Sequence, residues 1–263
     1  MKTITFTTDF GIKSNYPSQM KAVVLTIAPD TKLIDITHSI SRHNIAEGAY
    51  VLMTTVPYFP KGTVHIAVVD PGVGSLRRGI VIVTKTQILV GPDNGLLIPV
   101  ANKLAPFQVY EIENKNLMLD KTSYVFHGRD VFTPVASYIL NGVLFEEIGQ
   151  IIHDYIDLNL EKIDITQKNV IGKILYIDDF GNIITNIQTN HLLKYFEKDK
   201  KLMVFVGKNK KILPFVKTYS DVKKGRFLIT DSSSGYLEIS ANQSKASERL
   251  KVKIGDEIKI KFS

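Results

Sequence analysis

Hydrophobic and polar positions change rhythm once along the chain. Up to about Ile165, short apolar runs alternate with stretches of helical spacing, and from Val170 onward only short runs separated by turns remain. The first part predicts strands at Thr3–Thr7, Leu33–Ile36, His65–Val69, Gly79–Thr84, Gln87–Val90 and Phe107–Ile112. Met20, Val23, Val24 and Ile27 recur at the spacing of one helix face, and Pro29 stops that helix. Asn44 is placed to cap a second helix running to Thr55 and ended by Pro57; Asp130 is placed to cap a third over Val131–Leu140.

The second part predicts strands at Val170–Ile177, Ile183–Ile187, Lys201–Val206, Ile212–Val216, Arg226–Thr230, Tyr236–Ser240 and Glu257–Phe262, with Gly207-Lys208-Asn209 as a hairpin turn. Such a series suits a small antiparallel barrel. The expected fold class is therefore α/β: an N-terminal α/β domain over 1–165 and a smaller C-terminal antiparallel β-barrel domain over 166–263. The boundary falls between Asp157 and Thr166. No internal repeat or low-complexity segment interrupts either part.

Composition adds exclusions. With 263 residues and 44% hydrophobic positions the chain is able to bury a sizeable core, which excludes global disorder. No apolar run spans a bilayer and no signal-peptide pattern opens the sequence, so no membrane partner is expected. Cysteine is absent, which removes disulfides, thiolate ligands and a thiol nucleophile and fits a cytoplasmic location. Residues 1–165 carry a net charge of −2 and residues 166–263 a net of +9. The basic runs Lys208-Asn209-Lys210-Lys211 and Lys223-Lys224 lack interleaved aromatics and sit where turns are expected, so a solvated lysine surface is expected rather than nucleic-acid binding.

Several loops are more chemical than their positions require. Asp70-Pro71-Gly72-Val73-Gly74-Ser75-Leu76-Arg77-Arg78 joins two core strands. Pro71 fixes its own φ, while Gly72 and Gly74 reach angles closed to other residues, so the loop is able to fold Arg77 back on Asp70. Alone, it fits a tight turn with a surface ion pair as well as it fits a reactive loop. Thr8-Asp9-Phe10-Gly11 ends a strand on a carboxylate, where open α/β sheets face their ligands; an Asp that only caps the next turn has the same pattern. Gly91-Pro92-Asp93-Asn94-Gly95 is a dense turn with two polar side chains. His127 stands just ahead of a helix start, whose N–H groups suit an anion or oxyanion, although a lone histidine is also commonly structural. In the second part, Asp178-Asp179-Phe180-Gly181-Asn182 and Asp231-Ser232-Ser233-Ser234-Gly235-Tyr236 read either as hairpin turns or as ligand loops. In the second role they offer amide, hydroxyl and carboxylate groups for a base edge and an amino-acid end. No histidine pair has ligand spacing, so no metal is expected.

Taken together, Thr8–Gly11, Asp70–Gly74 with Arg77-Arg78, Gly91–Gly95, Phe126-His127-Gly128-Arg129-Asp130, Asp179–Asn182 and Ser234-Gly235-Tyr236-Leu237 occur in an order and spacing that resembles one family. These are the S-adenosyl-L-methionine (SAM) hydrolases that form adenosine, also called SAM hydroxide adenosyltransferases, relatives of fluorinase and chlorinase. The resemblance covers nearly the whole chain; each motif is weak alone, and six in order are specific. It implies an N-terminal α/β domain, a C-terminal β-barrel and a homotrimer. Its sites lie between the N-terminal domain of one subunit and the C-terminal domain of its neighbour. It implies a catalytic set at Asp70, Arg77 and His127. Substrate contacts are implied at Asp9, Asp70, Asp179 or its neighbour Asp178, Asn182, Ser233, Glu238 and the main chain at Ala241, those of the C-terminal domain serving adenine and methionine. The chain departs from the fluorinase pattern at Ser234, an arginine there, and at His43, an aromatic there.

The implied reaction is SAM plus water giving adenosine plus L-methionine, with attack at ribose C5′, SAM as substrate and no cofactor. Two alternatives stand beside it. Halide attack at the same carbon is disfavoured by the intact set of three, which the halogenating relatives lack; a Tyr stands at the position of Asp70 in the fluorinase. A non-catalytic SAM or adenosine binding module would carry the same residues.

Overall fold

The computed structural model describes residues 2–192 and 201–261. The chain divides into two compact units, Met1–Leu158 and Asn159–Ser263.

The first unit is built on a six-stranded sheet. Its strands are β1 (Thr3–Thr8), β2 (Lys32–Thr37), β3 (Val64–Val68), β4 (Gly79–Thr84), β5 (Ile88–Pro92) and β6 (Phe107–Glu111), in the order β2-β1-β3-β5-β4-β6. Pairings β1–β2, β1–β3 and β3–β5 are parallel, and β4 runs antiparallel to both β5 and β6. Every residue of β1 and β3 is buried, as expected of central strands covered on both faces. Ile4 and Phe6 of β1 join a core with α1 (Tyr16–Ile27) and α4 (Thr133–Leu140). Thr5, one step along the pleat, instead bonds the buried His65 of β3. The helices α2 (Ile45–Thr55) and α3 (Ile98–Lys103) pack together. The Asn44 side chain accepts the Glu47 N–H at 3.1 Å, as its capping position predicts.

Asp130 departs from expectation. The helix begins earlier, as a π-helical turn over Gly128–Phe132, so Asp130 lies inside the element and caps nothing. Its fully buried carboxylate accepts the Ser123 N–H at 2.7 Å and pairs with the Arg129 guanidinium instead.

The sheet's topology places the chemistry. Parallel strands β1, β3 and β5 end at the same edge and hand on to Asp9, Asp70 and Asp93-Asn94 respectively. Asp9 and Asp70, from separate chain segments, thus line one cavity at this edge of the sheet, where α/β folds bind ligands, while Asp93 is buried against Arg78.

The second unit is antiparallel: β8 (Asn169–Ile177), β9 (Ile183–Gln188), β10 (Lys201–Val206), β11 (Asn209–Pro214), β12 (Phe227–Asp231), β13 (Tyr236–Ala241) and β14 (Glu257–Lys261) run in the order β11-β10-β14-β8-β9-β13-β12, with the short β7 (Asp164–Ile165) on β8. A parallel bridge between Phe215 and Ile229 joins the two ends of this path, so the sheet nearly closes into a barrel around a single aliphatic core. β11 starts three residues before the expected Ile212 because the turn is only Gly207-Lys208, which leaves Asn209 paired with Val206. Phe262, the expected end of the last strand, lies outside the described residues. The short helix α5 (Ala246–Leu250) has no counterpart in the sequence reading. No helix among the described residues is long and apolar enough to cross a membrane.

Candidate active site

The β3–β4 loop folds back on itself as expected, although of its two glycines only Gly74 uses an angle closed to other residues; Gly72 does not. Arg77 Nε donates to both oxygens of Asp70 at 3.0 Å, and Nη2 adds a 2.5 Å bond to Oδ2. The carboxylate side chain is 4% exposed and the guanidinium 10%, so the pair is a sheltered fork rather than a surface ion pair. Phe132 packs against the guanidinium, its ring centre 5.2 Å from Cζ. Gly74 turns the loop at φ +79°, and a Cβ there would stand 2.6 Å from the Tyr124 carbonyl oxygen. Only glycine meets both conditions. The neighbouring turn braces the same place: Asn94 Nδ2 donates to the Val69 carbonyl at 2.9 Å, immediately before Asp70.

The third member comes from a distant part of the chain. His127 precedes the π-helical turn, and its Nδ1 lies 2.9 Å from Arg77 Nη2. A guanidinium has no acceptor, so Nδ1 accepts and the neutral ring carries its proton on Nε2. Burial, and after it the Arg77 charge, hold the His127 pKa below its ordinary value; Asp70 and Asp130 oppose this more weakly.

Asp70 and His127 line a cavity of about 570 Å³ together with Asp9, Arg42, His43 and an aromatic wall. Asp9 Oδ2 accepts the His43 N–H at 2.8 Å. The wall is Phe10, Tyr16 and Phe126, in edge-to-face contacts with centroids 4.9–5.8 Å apart. Sequence reasoning assigned no role to these rings or to Arg129, which lies over Phe126 and donates to Gln19 at 2.7 Å. Phe10 and Phe126 lie within the motifs around Asp9 and His127, and that adjacency is their signal in the sequence. Tyr16 carried none.

In the second unit, Asp178, Asp179, Asn182, Tyr219 and Ala241 line a separate cavity of about 630 Å³. The two aspartates differ in commitment. Asp178 accepts the Asn182 backbone N–H at 2.8 Å and its Nδ2 at 2.9 Å, closing the β8–β9 turn on itself. Glu238 is buried and accepts from Tyr219 Oη at 2.8 Å and Ser240 Oγ at 2.5 Å. Burial, and then the bond to Glu238, push the Tyr219 phenol well above its ordinary pKa. Ser233 sits exposed in the β12–β13 turn and is not on this cavity's wall.

Two family models cover most of this sequence, the SAM hydroxide adenosyltransferase N-terminal domain over residues 4–149 and its C-terminal domain over residues 172–259. The chain belongs to the SAM hydroxide adenosyltransferase family. It is 44% identical over 98% of its length, and 95% of the relative's, to the (R)-S-adenosyl-L-methionine hydrolase of Methanocaldococcus jannaschii. A fluorinase of Nocardia brasiliensis is more distant, 24% identical over 98% of this chain and 96% of its own. The crystal structure of an uncharacterized conserved protein from Thermotoga maritima superposes with a TM-score of 0.91 at 39% identity, covering 98% of this chain and 99% of that one. The family that the six motifs resemble is thus the family found.

Proposed function

We propose that this chain hydrolyses SAM to adenosine and L-methionine by delivering water to ribose C5′. The observation that carries the reading is the Asp70–Arg77–His127 cluster, whose Asp70 and His127 stand on the wall of a cavity large enough for a nucleoside. The activity for which the hydrolase relatives are named agrees with it.

The chemistry asks little of the leaving group. A bond forms between water oxygen and C5′ as the C5′–S bond breaks; the bonding pair stays on sulfur, and methionine departs as a neutral thioether. No acid, metal or cofactor is needed for that step. The difficulty is the nucleophile, since making free hydroxide at pH 7 costs about 12 kcal/mol. The site therefore holds one water in line and accepts its proton as the new bond forms. Asp70 Oδ1 takes one N–H from Arg77, whereas Oδ2 takes two, so we assign Oδ1 to the water. His127, protonated on Nε2, donates to the water oxygen and fixes its lone-pair direction. Arg77 is the part that orders the other two.

Asp9 is assigned to the ribose hydroxyls. In the second unit, Asn182, Ser233, Glu238 and the Ala241 main chain are assigned to adenine and methionine. Asp179 joins them; its neighbour Asp178 lines the same cavity and closes the β8–β9 turn through Asn182. A homotrimer with sites shared between subunits, a cytoplasmic location and no nucleic-acid or membrane partner complete the proposal. Mixing an Asp70→Ala variant with an Asn182→Ala variant, under proven subunit exchange, then restores activity; no recovery refutes shared sites.

The direct test is incubation with SAM followed by chromatography. Equimolar adenosine and methionine, independent of added halide, are expected. A 5′-halogenated nucleoside formed only with halide, or binding without turnover, would replace this reading by one of the two alternatives.

A further inference from the structure

Behind Asp9 lies a polar chain that the proposed reaction does not use. Lys21 Nζ reaches Asp35 Oδ2 at 2.6 Å. Asp35 Oδ1 stands 3.0 Å from Nε2 of the buried His38, close in distance but short of good hydrogen-bond alignment. On the other side of the ring, His38 Nδ1 meets Thr8 Oγ1 at 2.8 Å. Thr8 Oγ1 also accepts the Phe10 N–H at 3.3 Å, and the His38 carbonyl accepts the Gly11 N–H at 2.7 Å. With a carboxylate facing Nε2, the proton belongs on Nε2, so Nδ1 accepts the Thr8 hydroxyl proton. One residue thus grips the 8–11 turn on both sides of Asp9, by side chain and by main chain. Such a network is more than a capped strand end requires, since the last residues of β1 already pair with β3.

We propose that His38 is a positioning residue for Asp9: through Thr8 Oγ1 it holds the turn in the one conformation that presents the Asp9 carboxylate to a vicinal diol of the substrate. This rests on the assignment of Asp9 to ribose and extends it to the residue that sets its aim. Among the described residues the Asp9 carboxylate is tied through a single hydrogen bond, from the His43 N–H, on a residue in the left-handed region at φ +65°. Small slips of the turn therefore move the carboxylate directly.

Side-chain geometry supplies the discriminating variants. Asn carries its Oδ1 where His carries Nδ1, so His38→Asn keeps an acceptor for Thr8 and gives up only the Asp35 contact. Gln reaches instead to the Nε2 position, so His38→Gln keeps Asp35 and abandons Thr8. Thr8→Val removes the hydroxyl with little change of shape. Binding of adenosine and of 2′,3′-dideoxyadenosine to the full-length protein is measured by calorimetry for each variant, with a thermal-unfolding midpoint alongside. A lost hydrogen bond to a charged group is worth about tenfold or more in affinity. The expectation is that His38→Gln and Thr8→Val each weaken adenosine about tenfold and dideoxyadenosine less than twofold, and that His38→Asn stays within about threefold of wild type on both. Equal weakening of both ligands by His38→Gln, or none, while Asp9→Asn shows the diol-dependent loss, overturns the role of His38 alone. Equal weakening of both ligands by Asp9→Asn overturns the ribose assignment, and the His38 proposal with it. If His38→Gln does not fold, His38→Leu decides by the same comparison, because it offers Thr8 no acceptor while leaving the Thr8–Phe10 bond in place.

Discussion

Arg77 Nη2 sits 2.9 Å from His127 Nδ1 and 2.5 Å from Asp70 Oδ2, so one guanidinium nitrogen touches both other members of the set. Because guanidinium only donates, this nitrogen fixes the imidazole tautomer and the carboxylate orientation together. The arginine is thus the organiser of the cluster. Neither neighbour replaces it, since neither is able to order the other two.

Removing that organiser has two separable consequences. Arg77→Met leaves the sheltered Asp70 carboxylate unpaired and is expected to lower stability by about 3–5 kcal/mol. Where the variant still folds, kcat falls by about a hundredfold or more while adenosine still binds. Arg77→Lys keeps the charge but not the fork and is expected to recover stability more than rate. Equal recovery of both would argue that charge, not geometry, is what Arg77 supplies.

The His127 pKa is lowered chiefly by burial and then by Arg77. The protein favours the neutral ring, so activity that depends on it is full above the ordinary histidine value of about 6.5 and is lost as pH falls through the lowered value. A plot of kcat/KM against pH is expected to stay flat down to about 6.5 and bend only below it. His127→Asn, which keeps an acceptor for Arg77, should lack that bend. An acid limb centred above 6.5 in the native enzyme would contradict the tautomer assignment.

How much of this was legible in the sequence depends on whether a local rule governed the residue. The return of Arg77 onto Asp70 was expected from the loop's proline and glycines, of which Gly74 alone adopts a left-handed φ, and the Asn44 cap follows from its position; both the ion pair and the cap are observed. Asp130 reads locally as a cap, but its role is set by Ser123 and Arg129 around a π-helical turn, and no periodicity announces such a turn. The contact of His127 with Arg77 joins residues fifty positions apart, and Tyr16 reaches Phe126 across more than a hundred. Pairings of this kind are fixed by sheet topology. Asp178 and Asp179 are indistinguishable as letters; only the closed turn shows that Asp178 is already engaged by Asn182.

A second histidine acts on stability rather than rate. His65 is fully buried between Thr5 and Gln87, and burial lowers its pKa to about 4. The unfolded chain takes up a proton first as pH falls, so stability complete above about 6.5 declines toward pH 4, by about 3 kcal/mol in all. Urea midpoints at pH 7.5 and about 4.5, compared for the native protein and His65→Asn, check this; the variant should lose much less on acidification. Identical losses would assign the acid sensitivity to other groups.

Gly74→Ala tests the loop itself. The substitution places a Cβ 2.6 Å from the Tyr124 carbonyl oxygen at a φ of +79°, where side chains are strained. The left-handed angle alone costs about 1 kcal/mol, and the clash adds to it by moving the segment that carries Asp70 and Arg77. A fall in kcat of about tenfold or more is expected with a modest drop in unfolding midpoint. Unchanged kcat would mean the loop tolerates displacement that the proposed water geometry does not allow.

The central claim, that water attacks C5′ directly under the direction of Asp70, is tested most directly by one turnover of excess enzyme in ¹⁸O-labelled water. Mass spectrometry then follows adenosine, methionine and the peptide bearing Asp70. Direct attack places the label in the adenosine 5′-hydroxyl and leaves both methionine and Asp70 unlabelled. Attack by the Asp70 carboxylate itself would form an ester at C5′, whose hydrolysis at the acyl carbon gives unlabelled adenosine and ¹⁸O in Asp70. That second pattern would contradict the account and make Asp70 a covalent catalyst.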